Sequence, residues 1–185
     1  RIAGHPTVNL QVSTGAIYIV RNPLDVAISF ADFEGITIDK AITLMATDSL
    51  VMPRVDEGIN EVLGSWSQNV LSWTARPGPG LHIVRYEDLI ADPVGTFRKV
   101  TAFLRLEATE ERLERAVRHS DFKELRKQEE TEGFPERSAA QQHFFREGRA
   151  GGWRDVLSPE QIHRVVAVHR EQMARFGYIP EGYDG

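Results

Sequence analysis

Short apolar runs and helical apolar stripes alternate along this chain. Residues 17–20 and 81–86 are short runs rich in β-branched and aromatic residues, which is typical of strands covered on both faces in a parallel sheet. Asn22 follows the first run as a candidate helix N-cap, and Pro23 suits the first helical position. The pattern therefore predicts a strand followed at once by a helix, and a second strand later in the chain.

The segment between the two predicted strands carries two helical signals. Residues 36–50 predict a helix followed by a loop. Residues 55–73 place apolar side chains at i, i+3, i+4 and i+7, which predicts one amphipathic helix with Trp66 and Trp73 in the core. A proline- and glycine-rich stretch at 76–80 ends that helix.

Helix start and stop signals also mark the second half of the chain. Asp92 and Thr109 are each followed by a helical pattern, and Ser158 with Gln161 forms a capping box before a last helix that stops at Gly177. Residues 127–142 are charged and lack periodic apolar positions, which predicts a loop. Because strands alternate with helices, the strands are expected to pair in parallel.

Composition limits the function classes. The 185 residues, 41% hydrophobic and 26% charged, predict a single domain over 1–185, and no apolar run approaches the roughly 18 residues of a membrane span. The net charge of −5 argues against broad nucleic-acid binding, and the absence of cysteine excludes disulfides and thiolate chemistry. With no secretory signal in the first ten residues, a cytoplasmic setting without membrane partners is expected.

Arg21 is the most informative charged residue because it directly follows the first predicted strand. Ligands of open α/β sheets bind beyond the carboxyl ends of the strands, and a guanidinium there can bind an anion through two parallel hydrogen bonds. Ser29, on the following predicted helix, offers a second donor. The alternative is an arginine that pairs with a carboxylate at the strand end.

Four segments together resemble one family, the cytosolic-type sulfotransferases. They are Arg-Asn-Pro-Leu-Asp-Val-Ala-Ile-Ser at 21–29, Arg-Tyr-Glu-Asp-Leu at 85–89, Ser-Asp-Phe-Lys-Glu-Leu at 120–125 and Phe-Phe-Arg-Glu-Gly-Arg-Ala-Gly-Gly-Trp at 144–153. Their order and spacing match that family, and the resemblance runs from about residue 17 to 178.

The resemblance implies transfer of a sulfuryl group from 3′-phosphoadenosine-5′-phosphosulfate (PAPS) to a hydroxyl or amine of a small acceptor, leaving adenosine 3′,5′-bisphosphate. It also implies an α/β, three-layer phosphate-loop-like fold with a central parallel sheet flanked by helices, of which front strands are expected to be missing from this sequence. No metal is expected, because the histidines show no triad spacing.

The resemblance also implies which residues bind the nucleotide. Arg21 and Ser29 match one side of a clamp for the 3′-phosphate, and Arg146 and Gly148 match a loop that closes the other side. In that loop Glu147 replaces a family lysine. The complete set of expected binding residues is Arg21, Ser29, Tyr86, Ser120, Phe122, Leu125, Phe144, Phe145, Arg146, Glu147 and Gly148.

The family's catalytic histidine and phosphate-loop lysine are not found in this sequence, and the catalytic residues are left unassigned. His5 lies nearest to the expected base, but Gly4-His5-Pro6 does not match the family's Lys-Thr-His. Two alternatives stay open: a catalytically incomplete nucleotide-binding or interaction remnant of the fold, and a phosphate-loop kinase or ATPase relative. The loops around 33–55 and 129–142 are expected to contact the acceptor, and the oligomeric state is open.

Overall fold

The computed structural model describes residues 13–54, 59–76, 78–135, 137–138, 140–145 and 148–183, with the side chains of residues 53, 54 and 59 excepted. Within these residues strands and helices follow one another along the chain. They are β1 (Ala16–Val20), α1 (Pro23–Glu34), α2 (Ile38–Met45), β2 (Val51–Arg54), β3 (Ile59–Val62), α3 (Trp66–Thr74), β4 (Leu81–Arg85), α4 (Tyr86–Ala91), α5 (Pro93–Phe103), α6 (Glu110–His119), α7 (Phe122–Glu132), α8 (Trp153–Val156) and α9 (Pro159–Arg175).

The strands β1 and β4 pair in parallel, as predicted, in a register that places Val20 opposite Arg85. The two carboxyl ends therefore meet at one edge of the sheet. β2 and β3 form a separate antiparallel pair, with Val51 opposite Val62. The predicted α/β class with a parallel sheet is confirmed.

Local capping signals set the helix ends. The Asn22 side chain accepts a hydrogen bond from the Leu24 N–H at 3.0 Å, and Pro23 occupies the first turn of α1. Ser158 and Gln161 form the predicted capping box at the start of α9, and Gly177 follows that helix with φ of +68°. The helices predicted after Asp92 and Thr109 are α5 and α6.

The core lies between β1, α1 and the last helix α9. Its buried members include Val20, Leu24, Ala27, Val166 and Met173. They come from the first and last parts of the described chain, so burial of this apolar surface holds the amino-terminal strand and helix against the carboxyl-terminal helix. In the part of the chain that the structure describes, no helix is both long and apolar enough to span a bilayer.

The prediction that both faces of β1 are buried is wrong. Ile17 and Ile19 are 39% and 56% exposed, whereas Val20 is buried. Successive side chains of a strand point to opposite faces, so the two isoleucines share one face of the sheet. The described part of the chain packs against the other face, through Tyr18 and Val20.

The prediction of a single amphipathic helix over 55–73 is also wrong for the first half of that range. Residues 59–62 form β3, and α3 begins only at Trp66, after Gly64 with φ of +66° and a capping box of Ser65 and Gln68. Residues 55–58 lie outside the described residues. Trp66 packs against the core as predicted, but Trp73 is 43% exposed and stacks on Tyr18.

The loop predicted over 127–142 was wrong for residues 127–132, which continue α7. The helix begins at an Asp121 cap and carries an i, i+4 ion pair between Arg126 and Glu130. Its buried side chain, Glu129, is polar, so an apolar stripe could not reveal the helix.

Candidate functional site

Arg21 and Tyr86 meet where β1 and β4 end. The Arg21 Cζ lies 4.5 Å from the centroid of the Tyr86 ring, a cation–π contact between residues that directly follow the two paired strands. The Nε of Arg21 is buried and has no hydrogen-bond partner among the described residues. A half-buried guanidinium with an unused donor is an arrangement that suits an anion.

Glu87 and Tyr178 fix the backbone beside Arg21. Glu87 Oε1 accepts the Asn22 N–H at 2.9 Å, and Glu87 Oε2 accepts the Tyr178 hydroxyl at 2.6 Å. Burial raises the pKa of Tyr178, and its hydrogen bond to Glu87 adds to this shift, so Tyr178 stays protonated and donating. Neither residue was in the predicted site, although Glu87 lies inside the Arg-Tyr-Glu-Asp-Leu segment.

An apolar cavity of about 250 Å³ opens beside Arg21. Its few polar groups include Tyr18 and Asn69, joined by a hydrogen bond of 2.9 Å from the phenol to the amide oxygen, and burial raises the pKa of Tyr18 to about 12. The remaining wall is mainly apolar. The lining residues are Tyr18, Ile19, Val20, Arg21, Val26, Phe30, Met45, Leu50, Leu63, Gly64, Ser65, Trp66 and Asn69.

Ser29 is half-buried on α1, two turns beyond Asn22, and is not part of the cavity wall. The structure thus places Arg21 and Tyr86 together and Ser29 farther along the helix that starts beside them.

A second group of predicted residues meets at the start of α7. The Phe122 ring contacts the Phe145 ring edge to face at 6.1 Å between centroids. Gly148 has φ of +57°, and a Cβ on it would lie 2.4 Å from the Phe122 ring, so this close approach requires glycine. Leu125 lies half-buried about one turn into α7, and Ser120 is exposed as the C-cap of α6.

The loop that carries Phe144 and Phe145 is bound by Glu129. The N–H of Phe144 donates to Glu129 Oε1 at 2.6 Å, and the N–H of Phe145 donates to Glu129 Oε2 at 3.0 Å. Burial acts to raise the pKa of Glu129, but these two hydrogen bonds, together with the nearby charges of His143 and Arg137, outweigh it. The pKa therefore lies below its usual value. Both N–H groups are therefore engaged within the protein. The predicted residues Arg146 and Glu147 lie outside the described residues.

The helix α1 holds the end of this loop through Asp25. Its carboxylate, 3% exposed, accepts the Gly151 N–H at 2.7 Å and the Trp153 N–H at 3.0 Å. The first and last of the four family-like segments are therefore in direct contact. Sequence reasoning missed Asp25 as well, because its partners lie more than a hundred positions away.

Among the described residues, no cluster of three or more histidine, cysteine, aspartate or glutamate side chains could hold a metal ion. The expectation that no metal takes part stays a prediction.

Comparisons with known proteins show the family of the chain. A model of the sulfotransferase domain matches residues 6–177. The chain belongs to the sulfotransferase family. It is similar to sulfotransferase 1B1 of Mus musculus, with 28% identity over 85% of this chain and 54% of the relative, and to the amine sulfotransferase of Oryctolagus cuniculus, with 27% identity over 86% and 54%.

Solved structures share the fold of this sulfotransferase-family chain. Mouse sulfotransferase SULT7A1 complexed with PAP superposes with a TM-score of 0.64 and 24% identity, over 86% of this chain and 58% of that one. The chain spans about half the length of the curated relatives it matches. At this identity the structural likeness shows the α/β fold alone.

Proposed function

We propose that this sulfotransferase-family chain binds PAPS and its product adenosine 3′,5′-bisphosphate, and that the protein to which it belongs transfers the sulfuryl group to a small hydroxyl or amine acceptor. The observation that carries this proposal is Arg21, a half-buried guanidinium at the strand ends whose buried Nε has no hydrogen-bond partner among the described residues. An anionic group there would complete its hydrogen bonding.

The nucleotide would use the two groups of residues described above. Arg21 and Ser29 would bind the 3′-phosphate, and Tyr86 would lie beside the adenosine under the Arg21 guanidinium. Ser120, Phe122 and Leu125 would line the adenine pocket. The loop with Phe144, Phe145, Arg146, Glu147 and Gly148 would close over the phosphate.

The apolar cavity would hold the acceptor at its end away from Arg21, because Arg21 would bind the 3′-phosphate and the sulfuryl group is on the 5′ side of the nucleotide. Its wall is mainly apolar, so it suits a compact hydrophobic molecule with one hydroxyl or amine group. The amine sulfotransferase among the relatives is consistent with such an acceptor. In the proposed reaction the acceptor oxygen or nitrogen would bond to sulfur while the bond from sulfur to the bridging phosphate oxygen breaks. Adenosine 3′,5′-bisphosphate would leave with the electron pair of that bond, and the acceptor's proton would pass to a general base.

A transfer assay and a binding measurement together test this function. Radiolabelled PAPS is incubated with the chain and with phenols, aliphatic alcohols and arylamines, while bisphosphate binding is measured by calorimetry. Transfer to one acceptor class supports the complete proposal. Binding without transfer supports the alternative of a nucleotide-binding chain without catalysis. No binding by the folded chain contradicts both.

A further inference from the structure

The buried carboxylate of Glu129 is the most unusual feature of α7. Glu129 is 5% exposed on a helix whose other acidic residues, Glu124, Glu130 and Glu132, are exposed. A carboxylate is rarely buried unless hydrogen-bond donors compensate the loss of water. Here the compensation comes from two consecutive backbone N–H groups, those of Phe144 and Phe145.

We propose that Glu129 is a positioning residue for the nucleotide site, which it serves by fixing the loop at Phe144 and Phe145. The inference rests on the proposed function, because a fixed loop would raise the affinity of the site for the nucleotide. Glu129 lies outside every segment that resembles the family, and it was expected in an acceptor-contacting loop rather than in a helix.

A second side chain of α7 holds the same loop. Arg126, three residues before Glu129, donates from Nη1 to the Phe145 carbonyl at 3.3 Å. Residues three apart share one face of a helix, so α7 presents an acceptor and a donor to a single peptide segment. Phe145 is therefore bound at both its N–H and its carbonyl group.

The hydrogen bonds from α7 to Phe145 are connected to the predicted adenine pocket through ring contacts. Ring contacts join Phe145 to Phe122 at 6.1 Å and to Phe134 at 5.0 Å, and Phe134 also contacts Phe144 at 4.6 Å. Gly148, three residues beyond Phe145, lies against the Phe122 ring. Releasing Phe145 would loosen its ring contact with Phe122, the ring against which Gly148 also lies.

The attachment also restricts how the loop can bind phosphate. The N–H groups of Phe144 and Phe145 are engaged by Glu129 and cannot also donate to a ligand. Any backbone contact between this loop and the 3′-phosphate must then come from residues after Phe145. Glu129 would thus influence affinity for the 3′-phosphate without touching the nucleotide.

The variant Glu129→Gln tests the proposal. Glutamine keeps the size of the side chain, but its amide offers one oxygen, and its NH₂ group would face one of the two N–H donors. Glu132→Gln is the matched control, because Glu132 is exposed on the same helix. Arg126→Met is the second variant, which removes the donor to Phe145 from a partly exposed position and provides a test should Glu129→Gln fail to fold.

Two readouts are made on the same preparations. Amide hydrogen exchange without nucleotide is expected to accelerate at Phe144 and Phe145 in Glu129→Gln by about tenfold or more, and to be unchanged in Glu132→Gln. Calorimetry is expected to show affinity for adenosine 3′,5′-bisphosphate falling by about tenfold in Glu129→Gln, and affinity for AMP falling by a smaller factor. Arg126→Met is expected to change both readouts in the same direction.

The proposal is overturned if exchange accelerates while bisphosphate affinity is unchanged, because Glu129 is then structural only. It is also overturned if both nucleotides lose affinity equally, or if neither readout changes. A wild-type chain that binds no bisphosphate contradicts the proposed function itself, and the role of Glu129 at the site with it. The exchange data still show in that case whether Glu129 holds the loop.

Discussion

Asp25 and Trp153 lie 128 positions apart and are joined by a hydrogen bond of 3.0 Å from the Trp153 N–H to Asp25 Oδ1. The other oxygen of the same carboxylate accepts the Gly151 N–H. One buried side chain in the helix that follows Arg21 therefore anchors the end of the loop that would close the nucleotide site.

Asp25→Asn is expected to destabilise the fold by about 1–3 kcal/mol, because the amide group would leave one of the two N–H donors unsatisfied in a buried place. Urea unfolding measures the change. Asp155→Asn is the control, since Asp155 is exposed and forms an ion pair with Arg149 whose loss is expected to cost less than about 1 kcal/mol. Equal effects of the two substitutions would contradict the role given to Asp25.

Gly148→Ala is expected to destabilise the chain and to weaken bisphosphate binding. The added Cβ would lie 2.4 Å from the Phe122 ring at a φ of +57°, so both steric crowding and backbone strain oppose it. Gly177→Ala isolates the strain, because Gly177 has φ of +68° and nothing within 4 Å of an added Cβ. We expect about 1 kcal/mol for Gly177→Ala and about 2 kcal/mol or more for Gly148→Ala in urea unfolding. A smaller loss for Gly148→Ala would show that the Phe122 contact is not tight.

His169 makes stability depend on pH. It is buried, its Nδ1 lies 2.9 Å from Ser67 Oγ, and burial lowers its pKa from 6.5 to about 4. The unfolded chain therefore binds a proton more readily, so stability is complete above pH 6.5 and is lost as the pH falls towards 4. The loss from this residue is up to about 3 kcal/mol.

The comparison of His169→Asn with His163→Asn tests this dependence by urea unfolding at pH 7 and pH 5. The asparagine amide can keep the contact with Ser67, and His163 is exposed on the same helix. His169→Asn is expected to lose less stability between the two pH values than the wild type, and His163→Asn to behave like the wild type. An unchanged pH dependence in His169→Asn would contradict the assignment.

Local signals predicted the helix ends well. Asn22, Pro23, Ser158 and Gln161 act on their own backbone within a few residues, so their roles can be deduced from the sequence alone. The capping box of Ser65 and Gln68 is a signal of the same kind, but a longer apolar stripe concealed it and the helix start was placed too early.

Contacts between distant segments could not be predicted. Asp25 and Glu129 each bind two backbone N–H groups that lie 15 or more positions away, and nothing near either residue marks those partners. Arg21 was proposed from its place at the carboxyl end of a predicted parallel strand, and Tyr86 was implied by the family resemblance. Glu87, by contrast, required knowledge of Tyr178, 91 positions later.

The central claim is that Arg21 binds the 3′-phosphate of the nucleotide. Calorimetric titration compares adenosine 3′,5′-bisphosphate with AMP for the wild type, for Arg21→Ala and for the control Arg112→Ala, which changes an exposed arginine on α6. We expect the wild type and the control to bind the bisphosphate about tenfold or more tightly than AMP, because one charge-assisted hydrogen bond contributes that much free energy. Arg21→Ala is expected to lose this preference. Equal binding of both nucleotides by the folded wild type, or an unchanged preference in Arg21→Ala, would contradict the account.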